Sequence, residues 1–396
     1  MLGMLLARAG VRVTVLEKHK DFLRDFRGDT IHPSTMEILY ELGLLDKFLQ
    51  LPHQKVSRMS GQFGAETIPF ADFSHLKVHA PFIAMMPQWD FLDFLADEAN
   101  LYPGFDLRMN AEATGLITGP AGVTGVTVAT PAGTENLNAH LVVAADGRQS
   151  TLRERAGFTV QDLGAPIDVL WFRLSRQPGD TEETMGRFNP GALFVMINRG
   201  DYWQCAFVIP KGGFEQLKAQ GLPAFKARLA QSLPLSGARA EEITSWDQVK
   251  LLTVRVDRLE QWYKPGLLCI GDAAHAMSPV GGVGVNLAVQ DAVAAANILA
   301  APLRENRVEV RDLARVQARR SFPTRVIQRL QIAIQNNVIA PTLTASAEAD
   351  PPFVLRLFAR WPLLRRIPAR VVGLGIRPEH VSEEIRRAGP PATVAA

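Results

Sequence analysis

Between residues 266 and 301 the chain sets out a buried strand, a carboxylate, a glycine loop and a helix start in immediate succession, an order that few folds accommodate. Gly266 to Ile270 is an apolar run of strand length. It leads into Gly271-Asp272-Ala-Ala-His275-Ala-Met-Ser-Pro279-Val-Gly281-Gly282-Val-Gly284-Val285-Asn286, and then into an apolar helix expected from about Asn286 to Ala301. Glycine lacks a Cβ, so backbone N–H groups in such a loop can approach a ligand closely, and the helix dipole favours negative charge at that end. The arrangement suits a phosphate. A purely structural origin would require the glycines, the proline and the flanking carboxylates to coincide.

Two further segments fit the same kind of site. Met1 to Ala9 reads as a helix with Gly10 where a left-handed cap belongs, and Val11, Val13 and Val15 then alternate as a strand toward Glu17. In a Rossmann unit the acidic residue ending such a strand accepts hydrogen bonds from an adenosine ribose, because its lone pairs match vicinal hydroxyls. A nicotinamide dehydrogenase would use Glu17 in the same way, but it gives no reason for the run from Gly271 to Asn286. Gly3, inside the helical stretch, reads as a site of close helix-to-sheet packing. A crossover helix exists to join two parallel strands, so a strand and a Gly-x-Gly-x-x-Gly turn are expected ahead of Met1, with the natural coding frame extending upstream by about 15 to 25 residues. The other segment, Leu141-Val-Val-Ala-Ala-Asp146-Gly147-Arg-Gln-Ser150, delivers a carboxylate from a hydrophobic strand to the sheet edge where open α/β folds bind ligands. An ordinary turn with Ser150 capping a helix is the alternative.

The rest of the chain supplies the frame. Ser34 to Glu37 has the form of a capping box, and a second helix follows Pro87, with Phe91, Leu92 and Leu95 on one face. Residues 113 to 143 read as a β-meander. Val169 to Leu174, Ala192 to Asn198 and Tyr202 to Ile209 read as strands of a second domain, and the end of the chain as helices broken by prolines. The aromatics Trp171, Phe172, Phe194, Tyr202, Trp203 and Phe207 suit a core better than a pocket. The expected divisions are 1–162 and 263–305 for a nucleotide-binding domain, 163–262 for an inserted substrate domain, and 306–396 for a C-terminal helical segment.

Composition excludes several function classes. Two cysteines, Cys205 and Cys269, support neither a disulfide scaffold nor a zinc or redox motif and point to a reducing, cytoplasmic setting. His75 and His79 lack a carboxylate at metal spacing, and no G-x-S-x-G elbow anchors a hydrolase. From Ala301 onward there are 16 Lys/Arg against 8 Asp/Glu, whereas residues 1 to 300 carry 27 against 32, so no basic core domain suits nucleic acid. The excess is concentrated in Arg356-Leu-Phe-Ala-Arg360-Trp361-Pro-Leu-Leu-Arg365-Arg366-Ile-Pro-Ala-Arg370. A membrane-surface contact is conceivable there, but Pro362 and Pro368 interrupt any long amphipathic stripe and favour a helix packed on the nucleotide-binding domain. Asp291 interrupts the apolar stretch near Asn286, so no spanning helix is expected.

The three segments, in this order and spacing, resemble the class A flavoprotein aromatic hydroxylases, the family typified by para-hydroxybenzoate hydroxylase, over roughly residues 1 to 305. The resemblance implies an α/β fold with a Rossmann-like FAD-binding domain, an inserted β-sheet substrate domain and a helical C-terminal segment. It implies FAD and NAD(P)H as cofactors, molecular oxygen and a small aromatic or lipophilic molecule as substrates, and hydroxylation of an aromatic, quinone or polyketide-like compound. By analogy Asp146-Gly147 is the DG motif tied to FAD and nicotinamide nucleotide, and Gly271-Asp272 is the GD motif whose carboxylate holds the flavin ribityl chain. Arg27 resembles the arginine that reaches FAD and Gln88 a flavin-side glutamine. Glu17, Pro279, Gly281, Gly282, Gly284, Val285 and Asn286 complete the implied cofactor set. No catalytic acid or base is identified. A prenyl reductase, a halogenase or an inactive truncated form of the same fold is the competing expectation.

Overall fold

The computed structural model describes residues 1–23, 30–64, 66–181, 184–233, 235–346 and 351–389. Helix α1 (Leu2–Arg8) buries Met4, Leu5, Leu6 and Ala7, and Gly10, at φ 82°, turns the chain into strand β1 (Val13–Glu17). Strand β1 pairs in parallel with β2 (Phe105–Met109), Val13 opposite Phe105 and Glu17 opposite Met109. Gly3 is where α1 meets this pair: a Cβ there would lie 2.7 Å from Val15 Cγ2 and 2.9 Å from the Phe105 ring. Close helix-to-sheet packing is therefore what this glycine provides.

Strand β3 (Val142–Ala144) pairs in parallel with β4 (Leu267–Cys269), and Tyr263–Lys264 lies antiparallel on the far side of β4. Among the described residues no strand pairs with the free edge of β1 or with that of β3, and one cavity is bounded by β1, β3 and α1. The meander is formed by Glu112–Gly119, Gly122–Thr130 and Gly133–Asn138. Helix α2 (Gly284–Arg304) packs on α1, and α3 (Val310–Ile334) packs on α2. Although α2 is long and apolar enough to cross a membrane, most of it is buried in the protein core.

The second layer is a seven-stranded sheet in the order Lys250–Leu252, Ile167–Ser175, Tyr202–Pro210, Ala192–Asn198, Met185–Asn189, Arg58–Phe63, Glu66–Asp72. Its last two strands come from inside the stretch assigned by sequence to the first cofactor-domain piece. Their membership rests on the parallel pairing of Gly186 to Phe188 with Gly61 to Phe63, a long-range register that no local pattern encodes. The pleat sorts the aromatics. Phe172, Phe194, Trp203 and Phe207 are buried beneath helices Phe214–Ala219 and Leu222–Ser232, whereas Trp171 faces the cavity with Val169, Val195 and Val208.

Two local expectations change. The helix expected to be capped by Ser34 begins two residues earlier, as Pro33–Glu41 with His32 at the N-cap, because proline at the first helical position costs no hydrogen bond. Ser34 and Thr35 are buried, and Glu37 instead accepts from the His79 N–H at 3.1 Å. Of the C-terminal helices, α4 (Phe353–Arg360) packs on the Glu66–Asp72 strand, whereas α5 (Arg366–Gly373) packs both on that strand and, through Val371 and Val372, against Met277 and Val283 of the glycine loop, Leu287 of α2 and Ile327 of α3.

Replacing Gly3 with valine forces α1 off β1 and β2. We expect a loss of about 1–3 kcal/mol in denaturant unfolding, the usual cost of overpacking. Unchanged stability would contradict the close seating of α1.

Candidate active site

The glycine segment that follows β4 has little regular structure, so its backbone groups need partners from elsewhere. They come from α3. Gln317, Arg320, Thr324, Gln328 and Gln331 recur every three or four residues on one face of that helix, and Gln335 extends the row. Gln331 accepts from the Ser278 N–H at 3.1 Å and donates to the carbonyls of Ser278 and Val280, both at 2.9 Å. Gln328 donates to the Asp257 and Ala276 carbonyls at 2.7 and 3.2 Å. Gln317 accepts from the Trp262 N–H at 3.0 Å.

At the centre of this clasp is Asp291 of α2, which is fully buried. Its Oδ2 accepts from the Gly271 N–H at 3.0 Å and from His275 Nε2 at 2.6 Å, and its Oδ1 accepts from Arg320 Nε at 2.9 Å. Burial pushes this carboxyl up, but the His275 imidazole and the Arg320 guanidinium outweigh it and hold Asp291 below the usual carboxylate range. Arg320 also donates to Glu379 at 3.2 Å, so the segment beyond α5 closes the network. Neither Arg320 nor Glu379 was found by sequence reasoning. The row on α3 has helical spacing, but it is polar and reads as a solvated face.

The two aspartate motifs meet. Asp272 accepts from Arg148 Nη2 at 3.2 Å, and Arg148 Nη1 is buried with no protein partner among the described residues. Arg153 donates to the carbonyls of Arg148 (2.7 Å) and Ala273 (3.3 Å), tying one motif loop to the other, and pairs with Asp257 at 3.6 Å. Asp146 is occupied locally: its carboxylate takes the Ser150 hydroxyl and the Leu152 N–H, and Ser150 caps the helix Thr151–Arg155. Gly281 and Gly282 have φ of 80° and 63°, and a Cβ on Gly282 would fall 2.4 Å from Thr30 Oγ1.

Asn286 does not line the cavity. Its Oδ1 accepts from the His32 N–H at 2.8 Å and from Thr35 Oγ1 at 2.7 Å, and its Nδ2 donates to the Thr30 carbonyl at 3.1 Å, so it latches the 30–35 segment to the start of α2. His32 in turn bonds the Val372 carbonyl through Nδ1 at 2.7 Å, and its buried Nε2 has no partner among the described residues.

All the other expected positions except Arg27 open on one cavity of about 3270 Å³: Glu17, Gln88, Asp146, Gly147, Gly271, Asp272, Pro279, Gly281, Gly282, Gly284 and Val285. Arg27 lies outside the described residues. The unpartnered Arg148 nitrogen, the cramped glycine cradle and the start of α2 fit an extended anionic cofactor such as FAD. Among the described residues no group of three His, Cys, Asp or Glu side chains could hold a metal, and His75 and His79 go to separate carboxylates, Asp72 and Glu37.

Residues 1–330 match the FAD binding domain family. The chain belongs to this family. It is a FAD-dependent monooxygenase of the aromatic-hydroxylase type, with NAD(P)H the usual reductant of such enzymes. It is 29% identical over 395 residues to 6-methylpretetramide 4-monooxygenase of Streptomyces rimosus, covering 99% of this chain and 94% of that protein. To the 12-dehydrotetracycline 5-monooxygenase/anhydrotetracycline 6-monooxygenase of the same species it is 30% identical over 305 residues, 74% of this chain and 58% of that relative. In fold the FAD-binding chain is similar to the p-nitrophenol 4-monooxygenase PnpA of Pseudomonas putida, with a TM-score of 0.74 at 20% identity over 93% of each chain.

Burial lowers the His32 pKa to about 4, below the ordinary 6.5. A folded pKa below the unfolded one contributes stability that is complete above pH 6.5 and is lost as the pH falls toward 4. At about 1.4 kcal/mol per unit, that is on the order of 3 kcal/mol. Urea unfolding of the native chain and of His32→Gln across this window should show the native chain losing that much more. Parallel curves would remove His32 as the source.

Proposed function

We propose that this enzyme hydroxylates a large, apolar, fused-ring aromatic of the polyketide class. The observation that carries this reading is the apolar part of the cavity lining. Trp171, Val169, Val195, Ile197 and Val208 project from the seven-stranded sheet, and Phe188 and Met185 extend the same apolar wall. A planar hydrocarbon-rich substrate gains burial there and excludes water from the reacting ring. The names of two relatives, a pretetramide and a tetracycline oxygenase, support the same class.

The cofactor roles follow from position. Glu17, at the end of β1, takes the adenosine ribose; Asp272 with Arg148 takes the ribityl hydroxyls; Gly281 to Val285 present backbone N–H groups at the start of α2. When bound, FAD accepts a hydride from NAD(P)H and then activates oxygen for transfer of one atom to an electron-rich ring. The chain's own part is to hold the ring, orient it and keep the space dry.

The FAD-loaded enzyme is tested by substrate-stimulated NAD(P)H oxidation and product mass, with single-ring phenols, quinol precursors and multi-ring polyketides compared. We expect stimulation and one added oxygen to be largest for the multi-ring compounds. Asp272→Ala should weaken FAD binding by about 1–3 kcal/mol, the cost of leaving hydroxyls unpaired. No stimulation by any class would contradict hydroxylation. A preference for single-ring phenols would contradict only the substrate class.

A further inference from the structure

The segment from Pro351 to Pro378 contains six arginines and no aspartate or glutamate. It is also apolar on its outside. Phe353, Val354, Trp361, Leu363 and Ile367 are each more than half exposed. Folding alone does not account for this, because the anchoring of the segment uses other residues. Ala369 is fully buried with Ala71 and Phe73, and Gly373 sits so close that a Cβ would lie 3.0 Å from both Leu76 and Phe73. Arg365 is committed to the end of α4, donating to the Phe358 and Ala359 carbonyls at 2.7 and 2.8 Å. Arg356, Arg360, Arg366, Arg370 and Arg377 are exposed, and Arg366 reaches His75 at 3.4 Å. Asp72, on the strand beneath, is buried and already held by Arg58 and Ser74.

The patch lies at the mouth of the cavity. Val354 and Ile367, both outward-facing, also line that cavity beside Leu355, Phe358 and Pro368. A contiguous apolar surface rimmed by one sign of charge marks a docking site rather than scattered exposure. We propose that α4, the turn at Trp361 to Leu364 and α5 dock the enzyme on an anionic lipid surface, with the cavity mouth against the headgroups. The charge selects this occupant. Arginines interleaved with Trp, Phe, Leu and Ile, with no acid among them, let guanidinium groups stay at lipid phosphates while the apolar side chains enter the acyl boundary. A specific protein partner would be expected to fix register with charges of both signs. Pro362 and Pro368 rule out one long stripe, but two short helices joined by the turn at Trp361 carry arginines and exposed apolar side chains together. Docking there would let a lipophilic molecule pass between bilayer and cavity without crossing water. The inference does not depend on the catalytic reading.

The test is co-sedimentation of the 396-residue chain with vesicles of phosphatidylcholine alone and with about 30% phosphatidylglycerol added, at low salt. We expect binding at least about ten-fold tighter to the anionic vesicles, abolished near 0.5 M salt, with a blue shift of tryptophan emission that Trp361→Ser removes. The triple change Arg360→Ser, Arg366→Ser, Arg370→Ser alters only exposed side chains and should reduce affinity about ten-fold or more with an unchanged circular dichroism spectrum. Equal binding to both vesicle types, or full binding by the triple variant, would overturn the proposal. So would self-association in sedimentation velocity that Trp361→Ser abolishes without any vesicle binding, which would give the patch to a second copy of the chain.

Discussion

One buried carboxylate and one row of glutamines decide whether the cofactor loop has a shape at all. The loop between β4 and α2 must stay out of regular structure to leave backbone groups facing a ligand, yet every buried N–H and C=O left unpaired would cost about 1–3 kcal/mol. Asp291 answers this at the front of the loop and Gln328 and Gln331 at the back. Gln331 pairs with Ser278 as a neighbouring strand would, through both donor and acceptor, so a side chain stands in for a sheet edge. The arrangement ties the shape of the loop to side chains of α3.

The same constraint explains how the C-terminal segment enters the site. Arg320 neutralises Asp291 from one side and holds Glu379 on the other. The two buried ion pairs of Arg320 depend on each other, which couples the glycine loop, α2, α3 and the chain beyond α5. His32 extends the unit, linking the start of its helix to α5 through the Val372 carbonyl.

Much of this was legible in the sequence. The strand–Asp-Gly and strand–Gly-Asp motifs announced themselves because glycine and aspartate at strand ends have few structural uses, and Arg148 and Asp272 do meet. Gly3 and Gly10 read correctly because each is demanded by a local geometry, a close contact and a left-handed cap. The failures are all non-local. Residues 58 to 72 join the seven-stranded sheet through pairing with residues more than a hundred positions away, and a polar stripe on α3 looks solvated until the loop it clasps is in place. Asp146 lines the cavity with the other expected positions, and the Ser150 that sequence allowed as a cap also engages its carboxylate. The C-terminal arginines are solvated on a packed helix as expected, but α4 and α5 also rest on the Glu66–Asp72 strand and expose apolar side chains beside them.

The central claim is that Asp291 holds the Gly271–Gly282 loop in its binding shape. It is tested most directly by measuring FAD affinity and urea stability together for Asp291→Asn, which preserves size and removes the charge. The account predicts that weakening the Arg320 and His275 bonds, with Arg320 left to Glu379 alone, costs about 1–3 kcal/mol of folding stability, and that FAD binds at least about ten-fold more weakly. A variant that retained both native stability and native FAD affinity would show that the loop owes its shape to something else.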